Sequence, residues 1–248
     1  MRVLVTNDDG IDSPGLHTLA AMARSLGHDV TVAAPATEYS GTGAALSAIT
    51  TEGRVLIHKT THGYAVPAAP AYIVVLAALG AFGDRPDLVL SGINPGANAG
   101  RAVLHSGTVG AALTAVTRGL RAMAVSIDYL AAQGRPVHWA TAAAVARDLL
   151  PEALATPPGV ALNLNVPNLP EPAEVRTATL AAFGQVQVAI LESGDGFVRT
   201  DFLRSREKPA EGTDLALLNE GYATLTAIRP PTEAAIPHQR STSSTRQQ

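Results

Sequence analysis

Three observations predict an α/β fold, a Rossmann-like, doubly wound and mostly parallel sheet. Short runs of branched apolar residues alternate with Ala/Leu-rich helical stretches along most of the 248 residues. Polar, glycine-bearing loops follow several of those apolar runs, the position at which open α/β sheets bind ligands. Hydrophobic residues make up 46% of the chain and aromatics only 4%, which suits a core of small and branched side chains.

The rhythm begins at once. Arg2–Thr6 reads as a strand, and residues 15–26 as a helix with Pro14 near its first turn. Residues 29–34 form the next strand, ended by Pro35. Residues 54–58 and Tyr64–Val66 pair as an expected β-hairpin arm. Residues 71–80 are an apolar helix, and 87–91 a buried parallel strand. Helices at 108–118 and 139–150 flank a strand at 122–126, and 161–166 is strand-like. Beyond about residue 170 charges cluster and the helical rhythm fades. Residues 1–239 are therefore expected to form one domain, with a core of about 1–168 and a C-terminal oligomerisation arm over 169–239. The Ser/Thr/Gln-rich tail at 240–248 is expected to be disordered.

Composition excludes several classes. The net charge is −3 with no basic run, which argues against binding a nucleic acid polymer. There are 0 cysteines, so disulfides, thiolate metal sites and a cysteine nucleophile are excluded. Arg2 leads directly into a strand and two acids, not a signal-peptide pattern, and no uninterrupted apolar stretch reaches about 18 residues. A cytoplasmic protein without a membrane span is expected.

Four loops carry the chemistry. Asp8 and Asp9 stand side by side after the first strand, and Gly10 lets the chain turn. Adjacent acids repel unless a proton or cation lies between them, and a hard divalent ion favours oxygen ligands. The second loop, SGINPGANAG from Ser91, offers Asn94 and Asn98, whose amides present a carbonyl oxygen to a metal or an N–H to a phosphate. The third, HSGTVGAA from His105, sets Ser106, Gly107 and Thr108 where a helix begins. A hydroxyl there caps the helix, and the same free amides attract an anion. His105 can carry a proton, although a histidine in that place is more often a structural hydrogen-bonder. The fourth, PATEYSGTG from Pro35, supplies Ser40, a hydroxyl able to complete an oxygen shell. The histidines at 17, 28, 58, 62 and 138, Trp139, and His238 near the tail show no ligand spacing and read as surface or packing residues.

In this order the four loops resemble the SurE family, the stationary-phase survival nucleotidases. The likeness resumes at Asn163–Pro167, at Gly212-Thr-Asp214 and at Gly221-Tyr222. It implies hydrolysis of nucleoside monophosphates with one divalent ion per subunit, Mg²⁺ or Mn²⁺. By that resemblance Asp8, Asp9, Ser40 and Asn94 hold the metal. Asn98, Ser106, Gly107 and Thr108 surround the phosphate. The chemistry of the residues themselves makes Asp8 or Asp9 the expected acceptor of the water's proton and His105 the expected donor to the leaving group. A homodimer or homotetramer with an exchanged C-terminal arm is also implied. The chain departs from the family pattern at Ala102, where an acid is usual, at Thr114-Ala115, at Ala68–Tyr72 and over Thr177–Phe183. These departures leave the metal and phosphate groups in place and bear on the leaving-group pocket and subunit contacts. Two alternatives stand beside this reading: a phosphatase for a sugar or secondary-metabolite phosphate, and a non-catalytic nucleotide-binding module. A dinucleotide-dependent oxidoreductase is disfavoured, because the first turn reads NDDGIDSPG and lacks GxGxxG.

Overall fold

A computed structural model describes residues 1–129, 134–205 and 207–234. The tail expected to be disordered, and His238, lie outside the described residues. Eleven strands and six α-helices are formed among them. The strands are β1 (Arg2–Thr6), β2 (Asp29–Pro35), β3 (His58–Lys59), β4 (Tyr64–Val66), β5 (Leu88–Pro95), β6 (Arg121–Asp128), β7 (Ala161–Pro167), β8 (Val175–Thr177), β9 (Val186–Gly194), β10 (Phe197–Arg204) and β11 (Ala223–Ile228). The helices are α1 (Pro14–Ser25), α2 (Pro70–Ala78), α3 (Gly107–Thr117), α4 (Trp139–Asp148), α5 (Leu150–Ala155) and α6 (Asp214–Asn219), with a 3₁₀ turn over Gly100–His105.

Nine strands make one sheet in the order β3-β4-β2-β1-β5-β6-β7-β11-β8. From β4 to β7 every neighbour is parallel. This is the doubly wound order, and its reversal falls between β1 and β5. Val3, Leu4 and Val5 are buried because helices cover both faces of the sheet, which is why the central strands read as unbroken apolar runs. α1, α4 and α5 cover one face, with Leu16, Leu19, Leu90, Met123 and Leu164 at the centre of that core. α2 and α3 cover the other, around Leu4, Ile73, Val89, Val109 and Val116. α2 is apolar around its whole circumference because it lies between the sheet and α3. No helix among the described residues is long and apolar enough to cross a membrane.

Two features differ from expectation. The strand expected over 54–58 is reduced to His58–Lys59. Thr51 and Arg54 close a tight turn on each other, and Leu56 and Ile57 stay exposed at an edge with no further strand to pair. The pair β3–β4 is thus the margin of the main sheet, since β4 runs parallel to β2. The hairpin that stands apart is β9–β10, antiparallel and separate from the nine strands. The 169–239 segment also does more than form an arm. β11 inserts antiparallel beside β7 and pairs with β8, and Ile228 joins the α2/α3 core. β7 is buried along its whole length, and β11 supplies the neighbour that its free edge needs.

Candidate active site

The four loops meet at the carboxyl ends of β1 and β5, where the strand order reverses. β1 delivers Asp8 and Asp9. Asn7 locks the turn, its side chain donating to the Gly10 carbonyl at 3.1 Å and accepting from the Gly10 amide at 3.2 Å. The Tyr39 amide donates to the Asp8 carbonyl at 2.8 Å, which draws the Ser40 loop over the acids. That loop is fixed on its other side by the Gly43 amide, which donates to the His105 carbonyl at 3.1 Å.

The acids are under electrostatic tension. Burial pushes the Asp8 carboxyl above its ordinary value, with the Thr108 hydroxyl bond pulling in the opposite direction. Burial, then the charges of Asp8 and Glu38, push Asp9 up to about 7. Asp9 Oδ2 is buried with no hydrogen-bond partner. Ser40 spends its proton on Glu38 Oε1 at 2.6 Å, so its lone pairs are what it can offer a cation. Asn94 donates through Nδ2 to the Gly96 carbonyl at 2.7 Å, and its remaining polar atom is the carbonyl oxygen. Among the described residues no three His, Cys, Asp or Glu side chains converge as a metal cage. Two carboxylates, one orphaned, with neutral oxygens beside them do fit a hard divalent cation that keeps several waters.

α3 starts at the same place. Ser106 is its N-cap, with Oγ accepting from the Val109 amide at 3.1 Å. Thr108 is fully buried and its hydroxyl donates to Asp8 Oδ1 at 2.5 Å. Gly107 presses against the same carboxylate: a Cβ there would lie 2.7 Å from Asp8 Oδ2. Thr108 and Gly107 therefore shape the seat of Asp8 and do not line the cleft. Asn98 is held from three sides. Its amide N–H meets Asn165 Oδ1 at 2.7 Å and its Nδ2 donates to Ser126 Oγ at 2.9 Å. Its carbonyl accepts from Asn163 and Asn165 at 2.8 and 3.0 Å. One N–H of the Asn98 side chain remains for a ligand.

A cleft of about 650 Å³ opens over these groups and is lined by Asp8, Ser40, Asn94, Asn98, His105 and Ser106. Six of the nine expected site residues thus share one cavity; Asp9, Gly107 and Thr108 are not among the residues that line it. Reading the sequence missed Glu38, although it sits two residues before Ser40. It also missed the Asn163/Asn165 pair as supports, which their alternation on β7 could have revealed. Gln185 and Val186–Val188, which form the far wall, carry no local signal. His17 stacks on His62 with ring centroids 4.2 Å apart, a packing contact.

The model of the survival protein SurE family matches residues 3–189. The 5′-nucleotidase SurE of Methylorubrum populi is 36% identical over 241 residues, covering 92% of this chain and 93% of its own. That of Brucella abortus strain S19 is 36% identical over 237 residues, with 92% of each chain covered. The crystal structure of the SurE protein from Aquifex aeolicus superposes with a TM-score of 0.73 at 30% identity, over 92% of this chain and 93% of that one.

Proposed function

The chain belongs to the SurE family, and from that premise we propose that it is a divalent-metal-dependent phosphomonoesterase hydrolysing nucleoside monophosphates. The observation that carries the reading is the Asp8–Asp9 pair, its orphaned oxygen buried at the sheet's reversal beside the start of α3. Asp8, Asp9, Ser40 and Asn94 would hold the cation. When bound, such an ion neutralises charge on the phosphoryl oxygens and acidifies a water. Ser106, the first amides of α3 and the spare Asn98 N–H hold the non-bridging oxygens. The oxygen of water bonds to phosphorus as the bridging P–O bond breaks. One proton of the water passes to Asp8 or Asp9, and His105 protonates the leaving alkoxide. Thr108 and Gly107 act through Asp8.

A second reading has one observation in its favour: no Phe, Tyr or Trp side chain among the described residues lines the cleft to stack on a base. It takes a non-nucleotide phosphate as substrate. Phosphate release from nucleoside and sugar monophosphates, after EDTA stripping and with Mn²⁺ or Mg²⁺ restored, separates the two. Metal-dependent release favouring nucleotides is expected, and Asp8→Asn is expected to lose metal and activity together. Turnover retained in Asp8→Asn would overturn the metal assignment.

A further inference from the structure

At the amino ends of the strands, away from the cleft, a second cavity of about 500 Å³ opens. Arg2, Arg85, Asp87, Gly119, Arg121 and Leu154 line it. The start of the parallel ladder sets three of these side by side. The Asp87 amide donates to the Arg2 carbonyl at 2.8 Å, and the Arg121 amide to the Asp87 carbonyl at 3.3 Å. Arg2 and Arg121 open β1 and β6 on either side of Asp87. Among the described residues of this lining, three guanidinium groups thus face one carboxylate.

The three cations are not equally answered. Arg2 donates through Nη2 to Asp87 Oδ1 at 3.2 Å and through its backbone N–H to Asp87 Oδ2 at 2.8 Å, so both oxygens of Asp87 are engaged. Its Nη1 lies 3.4 Å from Asp84 Oδ2. Arg85 donates through Nη2 to the Arg118 carbonyl, which answers the negative pole at the end of α3 and no carboxylate. The Arg121 side chain has no hydrogen bond or ion pair with any described residue, and its Nη1 is buried. A charged donor shut off from water without an acceptor costs more than a neutral one. Gly119 keeps the floor open: the nearest atom to a Cβ there would be Arg85 Nη2, at 3.7 Å.

We propose that this cavity binds a small tetrahedral oxyanion of the phosphate class between Arg85 and Arg121. The site is separate from the cleft, and the inference stands independently of the phosphomonoesterase reading. A guanidinium fork matches a pair of phosphate oxygens and stays charged at any pH at which a protein is folded. Arg121 offers its whole fork, and an entering oxygen gives the buried Nη1 the acceptor it lacks. Arg85 adds the donors that the α3 carbonyl does not use. Two guanidinium charges without a carboxylate partner match the two charges of a phosphate dianion, whose oxygens suffice for both forks. Asp87 does not oppose it strongly, since Arg2 already offsets that charge. The apolar side chains of Leu120 and Leu154 exclude water from one flank and so strengthen the ion pairs. Free phosphate and the phosphoryl group of a small ester share this chemistry.

The test is calorimetric titration of inorganic phosphate into the EDTA-treated full chain at constant ionic strength and pH 8, where phosphate is a dianion and no metal draws it to the cleft. Saturable binding of one phosphate per chain is expected. Arg121→Met keeps the apolar stem and removes the orphaned donors, so it is expected to fold as the wild type does and to weaken binding at least about 10-fold. Arg85→Lys keeps a cation for the α3 carbonyl but has no fork, and a loss of about 5-fold is expected. Asn98→Ala, in the cleft, is expected to leave the affinity within about 2-fold, as for distant independent sites. Phosphate should raise the melting temperature of the wild type and not that of Arg121→Met. Sulfate should displace phosphate where acetate does not. Glycerol 3-phosphate binding more tightly than phosphate would identify an ester as the source, and weaker binding the free ion; either upholds the site. The absence of saturable binding, an affinity that neither arginine variant lowers, or an affinity lost in Asn98→Ala would overturn the inference and leave the phosphomonoesterase reading untouched.

Discussion

Burial pushes the Asp9 carboxyl up to about 7, and the charges of Asp8 and Glu38 add to the shift. Unfolded, the same group titrates near its ordinary 3.8. Between those values the folded, metal-free protein holds a proton that the unfolded chain releases, so stability falls as pH rises through that window. Metal-free protein is therefore expected to melt at lower temperature at pH 8 than at pH 5. Asp9→Asn should flatten that slope and raise the melting temperature at pH 8 by about 2–4 °C, the effect of about 1 kcal/mol in a domain of this size. The check is a thermal melt across pH in the presence of EDTA. A wild-type slope unchanged in Asp9→Asn would mean that the stored repulsion lies elsewhere. At this scale the grouping of the candidate residues was largely legible. Asp8, Asp9 and Ser40 follow β1 and β2, Asn94 closes β5, and Asn98, His105 and Ser106 lie between β5 and the first turn of α3, so chain order already places them. The direction in which Thr108 points was not legible. An N-terminal hydroxyl can turn to its own helix amides or to a neighbour, and only the packing of Gly107 on Asp8 decides for the carboxylate.

Between elements, Asp214 is a buried junction away from the cleft. It opens α6, is fully buried, and accepts from the Gly100, Ala181 and Leu215 amides at 2.7, 2.9 and 2.8 Å. It therefore ties α6 to the end of the Asn98 loop and to the segment that leads into β9. Asp214→Ala leaves two buried amides from distant segments without an acceptor. A loss of about 3 kcal/mol is expected, as for removal of charge-assisted hydrogen bonds, read from urea unfolding. A loss below about 0.5 kcal/mol, the size of a neutral surface change, would show that water replaces the carboxylate. The same residue shows why the C-terminal third was hard to read. α6 has only 6 residues and β8 only 3, too short for either period to register. β11 earns its place through pairing with β7, about 60 residues earlier in sequence, which no local pattern encodes. The strand at 54–58 failed for the opposite reason, since its local pattern was adequate but its neighbour β4 has only 3 residues and pairs with His58 and Lys59.

Across the whole molecule, apolar surface is unevenly spread. The hairpin β9–β10 stands outside both main core clusters, yet exposes Val188, Ile190, Leu191, Phe197, Val198 and Leu203. Ile190 and Val198 are 68% and 57% exposed, although each lies in a regular antiparallel ladder. A two-stranded hairpin is marginal in water unless its apolar face is covered. Its covalent root is fixed at Gln185, while its two strands have no third strand beside them among the described residues. A second copy of the chain is the occupant proposed for this surface, in a dimer or tetramer. The double substitution Ile190→Lys with Val198→Lys should shift the protein toward monomer in light scattering. It should leave the far-ultraviolet spectrum intact, because neither residue belongs to the cores that hold the nine-stranded sheet. Val188 lines the cleft from the same strand, so loosening the hairpin should also disturb its wall. A monomeric wild-type protein would leave that wall standing on the close approach of Gly184 to Ala102 and the Gln185–Asp128 hydrogen bond alone. A monomer in the double variant with unaltered KM would show that those anchors suffice and that assembly acts on stability alone.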